Sequence, residues 1–399
     1  MAVDRETAIV SMPAAPRQYA LDRSNRRAAG TPNPGPAGPS RRVAVLGLGA
    51  ATLGCRASPV RAQPTEHALP PLGRVDAADE LIVYSTTDQD EVDNVIAEFQ
   101  SRTPGIRVRY EKQNSDEQYA QVVKEAATGH GTADVVWSSA MDLQMKLVND
   151  GYAQTYAPAE LSGLPDWAVW KQQAYGVTAE PIVFVYNRDR IKPTDIPQSH
   201  AALREFLLRN VESLRGQVAT YDPERSGAGL LFFSQDVGIT PRSWDLITAL
   251  GRADPRLFTT TSSMLEGVSS GRLLIAYNVI GSYAMARSLH DTALGVVIPT
   301  DYVIVMSRIA FVPAAARHPS LGKAFLDLLL SARGQALLAR QYLGSVRADV
   351  SQASVMAEQM GDGDRAKPIH IGPELLAYQD QARRASFIRQ WRRAAQSRS

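Results

Sequence analysis

The sequence predicts an α/β protein built on parallel sheets, and three observations lead there. From about Ala77 onward, short apolar strand signals alternate with segments whose apolar residues recur at helical spacing. The chain has 399 residues, of which 44% are apolar and 21% charged, enough for one large or two medium domains with a real core. The first forty residues differ in kind: "GTPNPGPAGPS" is too rich in Pro and Gly for regular structure.

In order, "ELIVYS" reads as a buried strand, "DEVDNVIAEFQSR" as an amphipathic helix and "GIRVRYEK" as a half-buried strand. "DEQYAQVVKEAATG" is a helix closed by glycine, "ADVVWSS" a buried strand and "MDLQMKLVNDG" a helix. A second series follows through the strand "PIVFVYN", the helix "HAALREFLLRN", "GQVATYD", "GAGLLFFSQD", the helix "PRSWDLITALG", "SSMLEGVSSG" and the strand "LLIAYNV". "ALGVVIP" and "YVIVMSRIAFVP" return as strands, and "SLGKAFLDLLLSARGQALLARQ" supplies two helices. The last segment places Phe387, Ile388 and Trp391 on one stripe and arginines on the other, which predicts a helix packed on the body.

Ahead of this series, Arg41 and Arg42 precede the apolar run Val43 to Leu53. That run is too short to span a bilayer, which takes about 20 residues, and fits the core of a signal peptide. Val60-Arg61-Ala62 offers a small-x-small cleavage site, so cleavage is expected after Ala62; Leu53-Gly54-Cys55 offers a lipoprotein exit as the alternative. Residues 1–62 hold nine arginines and three acids, leaving 34 of the 43 basic and 38 of the 41 acidic residues for the rest. An exported portion of that balance gives no basis for nucleic-acid binding. Cys55 is the sole cysteine and falls inside the leader, so the exported portion has neither disulfide nor thiol chemistry.

In an open parallel sheet, ligands bind at the carboxyl ends of strands, beside helix amino ends whose unpaired N–H groups favour negative charge. Four such corners share a hydroxyl-rich composition. They are Ser85, Thr86, Thr87 and Asp88; Ser138, Ser139 and Asp142; Ser226, Gly227 and Gly229; and Asn278, Gly281, Ser282 and Tyr283. Any one of them alone reads as helix capping. Four of them, spread over both halves, are less easily dismissed as capping alone.

The ordered set "ELIVYSTTD", "ADVVWSSAMDLQMKLVNDG", "GVTAEPIVFVYN", "VATYDPERSGAGLLFF", "SGRLLIAYNVIGSYA" and "RRASFIRQWRRA" resembles the periplasmic solute-binding receptors of ABC importers, in the branch with ferric-ion and phosphorylated-solute receptors. The resemblance implies a type 2 periplasmic-binding-protein fold: two lobes, two crossover hinge strands near Thr178–Ile182 and Val297–Thr300, and C-terminal helices. Lobe 1 is expected at 79–178 plus 298–350 and lobe 2 at 179–297, after a linker at 63–78 and before a helical segment at 351–399. It further implies a monomer without cofactor, in the periplasm, that closes on a small anionic solute and docks on an inner-membrane ABC permease, or presents its loaded form to a sensor kinase.

The iron-binding members of that branch use two adjacent tyrosines, whereas the matching turn here reads Gly281-Ser282-Tyr283-Ala284. A hard ferric ion wants several anionic oxygens. Tyr277, Tyr283 and Asp88 stand as the alternative metal set, and the expectation is instead that Tyr283 donates to an oxyanion with Asn278 and the serine and threonine hydroxyls. Thr300 and Asp301 are expected at the rim, and Glu180 either accepts from a hydroxyl or amine of the solute or is a salt-bridged hinge residue. No enzyme is expected: "GVSSG" matches a nucleophile elbow in letters only, because a helix precedes it and a strand follows.

Overall fold

The computed structural model describes residues 80–350 and 364–396. The leader, the cleavage site after Ala62, Cys55 and the linker lie outside the described residues. In chain order the first lobe begins with β1 (Glu80–Ser85), α1 (Asp93–Arg102), β2 (Arg107–Lys112), α2 (Ser115–Thr128), β3 (Val135–Ser138), α3 (Met141–Asn149), β4 (Val169–Trp170) and β5 (Ala174–Gly176). The second comprises β6 (Glu180–Asn187), α4 (His200–Arg209), α5 (Val211–Leu214), β7 (Val218–Tyr221), α6 (Gly227–Ile239), α7 (Ser243–Arg252), β8 (Arg256–Phe258), α8 (Thr261–Ser269), β9 (Ile275–Ile280), α9 (Gly281–Ser288), β10 (Leu294–Val297) and β11 (Val303–Met306). The chain then returns with β12 (Ile309–Phe311), α10 (Pro319–Leu330) and α11 (Ala332–Arg340), and ends with β13 (Ala366–Pro368) and α12 (Gln381–Ala395).

Two sheets result. The first runs β2-β1-β3-β12-β5-β4, and its β1, β2 and β3 are parallel, as three consecutive β-α units require. The second runs β13-β11-β6-β9-β7-β8, with β10 also paired to β6. The chain therefore crosses between sheets at Val177–Ala179, between β5 and β6, and at Ser307–Arg308, between β11 and β12, and β13 later rejoins the second sheet beside β11. The first crossover falls where the sequence places it. The second lies beyond the expected Val297–Thr300, because β11 still pairs with β6 of the second sheet before Ile309 faces Ser138 and Gly176 in the first.

Each sheet has a core on one side, and a further cluster joins Ile82, Tyr84 and Val136 of the first sheet with Val183, Val185 and Ala276 of the second. Leu81, Val83, Phe99, Trp137 and Phe325 pack together in the first lobe, with the Phe99 and Phe325 rings edge to face at 5.3 Å. Phe184, Leu203, Phe233, Leu250 and Tyr277 do so in the second. The C-terminal helix α12 lays Trp391 against Phe233 and Phe387 against Trp244 of α7, as its apolar stripe predicts. Gly251 of α7 admits it: a Cβ there would stand 2.0 Å from the Ala395 carbonyl oxygen.

Candidate ligand-binding cleft

The two crossovers bring Glu180 and Arg308 together, both with side chains 0% exposed. Arg308 Nε donates to Glu180 Oε1 at 2.9 Å and Nη2 to Oε2 at 3.1 Å, a two-pronged pair. Thr178 Oγ1 donates to the same carboxylate at 2.7 Å, and the Ser282 hydroxyl does so from lobe 2. The remaining guanidinium nitrogen, Nη1, donates to Thr87 Oγ1 of lobe 1 at 3.0 Å and to Tyr283 Oη of lobe 2 at 3.4 Å. Burial alone pulls the guanidinium down, but Glu180 beside it prevails and holds it well above the ordinary arginine value. One buried cation thus touches both lobes. Glu180 is a salt-bridged residue, one of its two expected roles; Arg308 was not anticipated from the sequence.

In lobe 1, β1 and β3 are adjacent and parallel, so their carboxyl ends stand side by side. Thr86 Oγ1 donates to Ser138 Oγ at 3.3 Å, lies 3.2 Å from Ser139 Oγ and accepts from Ser139 N at 3.0 Å. Ser85 Oγ accepts from Thr87 N at 3.1 Å and so tightens the turn. The two predicted corners of this lobe form one cluster of hydroxyls. Asp88 pairs with Lys112 from the end of β2, and both are partly exposed.

In lobe 2, Ser226 Oγ caps α6 by accepting from Gly229 N at 3.2 Å. Gly227 faces lobe 1: a Cβ there would lie 3.9 Å from both carboxylate oxygens of Asp142 in the first turn of α3. Helix α9 begins directly after β9 without a side-chain cap. Its first residue, Gly281, sits where a Cβ would come within 2.6 Å of the Pro181 carbonyl oxygen, so glycine lets β6 and α9 touch. Tyr283 lines a cavity of about 400 Å³ together with Asp88, Asp90, Glu91, Arg287 and His290. Its phenol is held above the ordinary value, first by burial.

Beyond Glu180 and Ser282, which hold each other, three further expected ligand residues are engaged elsewhere. Asn278 sits at a bulge of β9, where Tyr277 and Asn278 together oppose Phe184 alone, and it takes φ 61°, a left-handed conformation that asparagine tolerates. The bulge turns its amide inward, donating to Asp236 Oδ2 at 3.0 Å. Tyr277 Oη donates to the same oxygen at 2.6 Å and Tyr302 Oη to Asp236 Oδ1 at 2.8 Å. Thr300 Oγ1 donates to the Gln198 carbonyl at 3.0 Å, and Asp301 accepts from His200 N at 2.9 Å at the start of α4. Both precede β11 within the second sheet, because the second crossover comes later than expected. The alternative metal set is likewise not assembled: Tyr277 points into the lobe 2 core, while Asp88 pairs with Lys112.

Glu91 was also not anticipated. It follows Asp88 in a turn of 3₁₀ helix, Gln89–Glu91, and burial pushes its carboxyl up from 4.5 to about 7, against the opposing pull of Arg308 and with the help of Glu180, Asp88 and Asp90. A carboxyl raised on folding holds a proton that the unfolded chain releases, so stability falls as pH rises between those values and levels above them. Burial also raises Asp134, Asp142, Asp236 and Asp327, which tilt stability the same way. Urea unfolding of the protein and of its Glu91→Gln variant at about pH 5 and about pH 8 isolates the Glu91 share: the variant is expected to lose less stability over that interval. Equal losses would place Glu91 in ordinary solvent.

A fold of two α/β lobes joined by two crossover strands, with hydroxyl-lined strand ends meeting over a buried cation, defines a two-lobed binding protein. The chain belongs to the family of bacterial extracellular solute-binding proteins, whose model matches residues 94–360. It is similar to the substrate-binding protein of an ABC transporter from Agrobacterium tumefaciens, with 40% identity over 82% of this chain and 96% of that one and a TM-score of 0.73. Its fold is shared by iron-bound HitA from Pseudomonas aeruginosa, at 19% identity, 79% and 99% coverage and a TM-score of 0.58. AfuA from Actinobacillus pleuropneumoniae, with fructose-6-phosphate bound, shares it at 17% identity, 80% and 99% coverage and a TM-score of 0.59. No curated protein matches the chain.

Proposed function

We propose that this protein is a periplasmic receptor that captures a small oxyanionic solute, phosphorylated or carboxylated, between its lobes and delivers it to an ABC importer. The observation that carries the reading is Arg308, a buried cation whose Nη1 spans Tyr283 of one lobe and Thr87 of the other, and Thr87 follows Thr86 of the hydroxyl cluster with Ser138 and Ser139. Tyr283 Oη accepts from Arg308, which leaves its proton to donate into the cavity it lines. Neutral hydroxyl donors, Tyr283 among them and bonded to Arg308, satisfy an oxyanion without a full countercharge. Similarity to the Agrobacterium tumefaciens substrate-binding protein supports the importer role, and the phosphosugar in AfuA supports a phosphorylated ligand in this fold.

Two substitutions test the site. Tyr283→Phe removes a single donor and is expected to weaken binding of the oxyanionic solute about tenfold, and Ser139→Trp, which fills the space before the hydroxyl cluster, to abolish it. Calorimetric titration measures both effects, and circular dichroism checks that the fold is kept. Wild-type affinity in both variants would remove the solute from this corner.

A further inference from the structure

Glu91 lines the same cavity as Tyr283, and its Oε2 is sealed from solvent with no hydrogen-bond partner in the protein. The cations around it are committed to other groups. Arg308 directs Nε and Nη2 to Glu180 and Nη1 to Thr87 and Tyr283. Lys112 is held by Asp88, and Arg287 by Glu266 and Asp291. A carboxylate oxygen taken out of water without a donor is costly, and it persists in proteins mainly where a ligand completes it. Glu180, which the sequence offered as an acceptor for a hydroxyl or amine of the solute, is saturated by Arg308, Thr178 and Ser282. Of the acidic side chains that line the cavity, Glu91 is the one with a buried, unpartnered carboxyl oxygen.

We propose that Glu91 receives a hydrogen-bond donor of the captured solute, a hydroxyl or ammonium group, while the oxyanion of the same solute meets Tyr283 and the Thr86, Ser138 and Ser139 hydroxyls. This deepens the oxyanion reading and rests on it. The solute is then a hydroxy- or amino-substituted organic phosphate, phosphonate or carboxylate, and a bare inorganic oxyanion is a poor ligand. Glu91 is a specificity-determining residue.

The test uses four probes on the wild-type protein and on Glu91→Gln and Glu91→Leu, read by calorimetric titration. Methylphosphonate carries an oxyanion without a donor, glycerol phosphate adds hydroxyls, 2-aminoethylphosphonate adds an ammonium, and ethanolamine carries donors without an oxyanion. The wild type is expected to bind one donor-bearing oxyanion at least about tenfold more tightly than methylphosphonate. At about pH 8, where Glu91 is ionised, Glu91→Leu is expected to erase that preference and to bind methylphosphonate more tightly than the wild type, since a negative charge is gone. Glu91→Gln separates the two donors: its neutral carbonyl still accepts from a hydroxyl but no longer offers a countercharge to an ammonium. A ligand-free melting midpoint no lower than that of the wild type shows that each variant is folded. No preference in the wild type, or the same preference in both variants, overturns the role of Glu91 and leaves the oxyanion reading standing. Ethanolamine binding that is lost in Glu91→Leu, with no gain from an added oxyanion, upholds Glu91 and overturns the oxyanion reading. Failure of all four probes overturns both.

Discussion

Arg308→Met is expected to lower stability by about 3–5 kcal/mol, because it strands a carboxylate that has no route to water. Arg308 and Glu180 are both fully buried, and methionine replaces the arginine stem but none of its donors. Thr178 and Ser282 still donate to Glu180, yet they cannot neutralise it. Adding Glu180→Gln to Arg308→Met removes the stranded charge and keeps an acceptor for both hydroxyls, so the double variant is expected to recover part of the loss. Urea midpoints for the wild type, both single variants and the double variant form a cycle whose coupling term should be favourable and large. Additive losses would mean that the pair is not the tie between the crossovers that its geometry describes.

Asp236→Leu is expected to cost at least about 3 kcal/mol, since it leaves three buried donors unanswered at about 1–3 kcal/mol each. Those donors are the Tyr277 and Tyr302 hydroxyls and the Asn278 amide, converging on one fully buried carboxylate of α6. Leucine fits the volume, so the loss reports polar desolvation and not a cavity. Asp236→Asn keeps a carbonyl acceptor and is expected to lose much less. Thermal unfolding of the two variants side by side measures the difference. Because Asn278 lies two residues before the strand end that launches α9, Asp236→Leu is also expected to weaken solute binding through Tyr283, whereas Asp236→Asn should bind nearly as the wild type does.

These two residues mark where sequence and structure part. The β-α alternation was legible because each apolar run and each amphipathic run has one dominant period, and the corners at Ser85–Asp88 and Ser138–Ser139 follow directly from parallel β1 and β3. The stripe of α12 was legible for the same reason, with Trp391 buried against lobe 2. The second crossover was not legible, since "YVIVMSRIAFVP" reads as one strand; it breaks at Ser307–Arg308 only because its halves pair with different sheets. An arginine inside an apolar run was the available signal, because such residues are rarely fully buried unless paired. That displacement also moved Thr300 and Asp301 from the expected rim into lobe 2. Asn278 was misplaced for a separate reason: a bulge shifts side-chain facing by one residue, and no local spacing announces it. Glu91 escaped because the groups around it, Arg308 and Glu180 among them, come from distant parts of the chain that no window of sequence contains.

The central claim, that the cleft holds an oxyanion, is tested most directly by a thermal-shift series on the protein stripped of bound solute by partial unfolding and refolding. Sugar is set against sugar phosphate, alkylamine against aminoalkylphosphonate, and citrate against ferric citrate, with a chelator in all but the last. A ligand at about a hundred times its dissociation constant adds about 2.7 kcal/mol to stability, a clear rise in the midpoint. The expected result is a rise with the phosphorylated or carboxylated partner alone, undiminished by the chelator. A rise that requires iron, with the red colour of a tyrosinate complex, would contradict the oxyanion cleft and restore Tyr283 as a metal ligand.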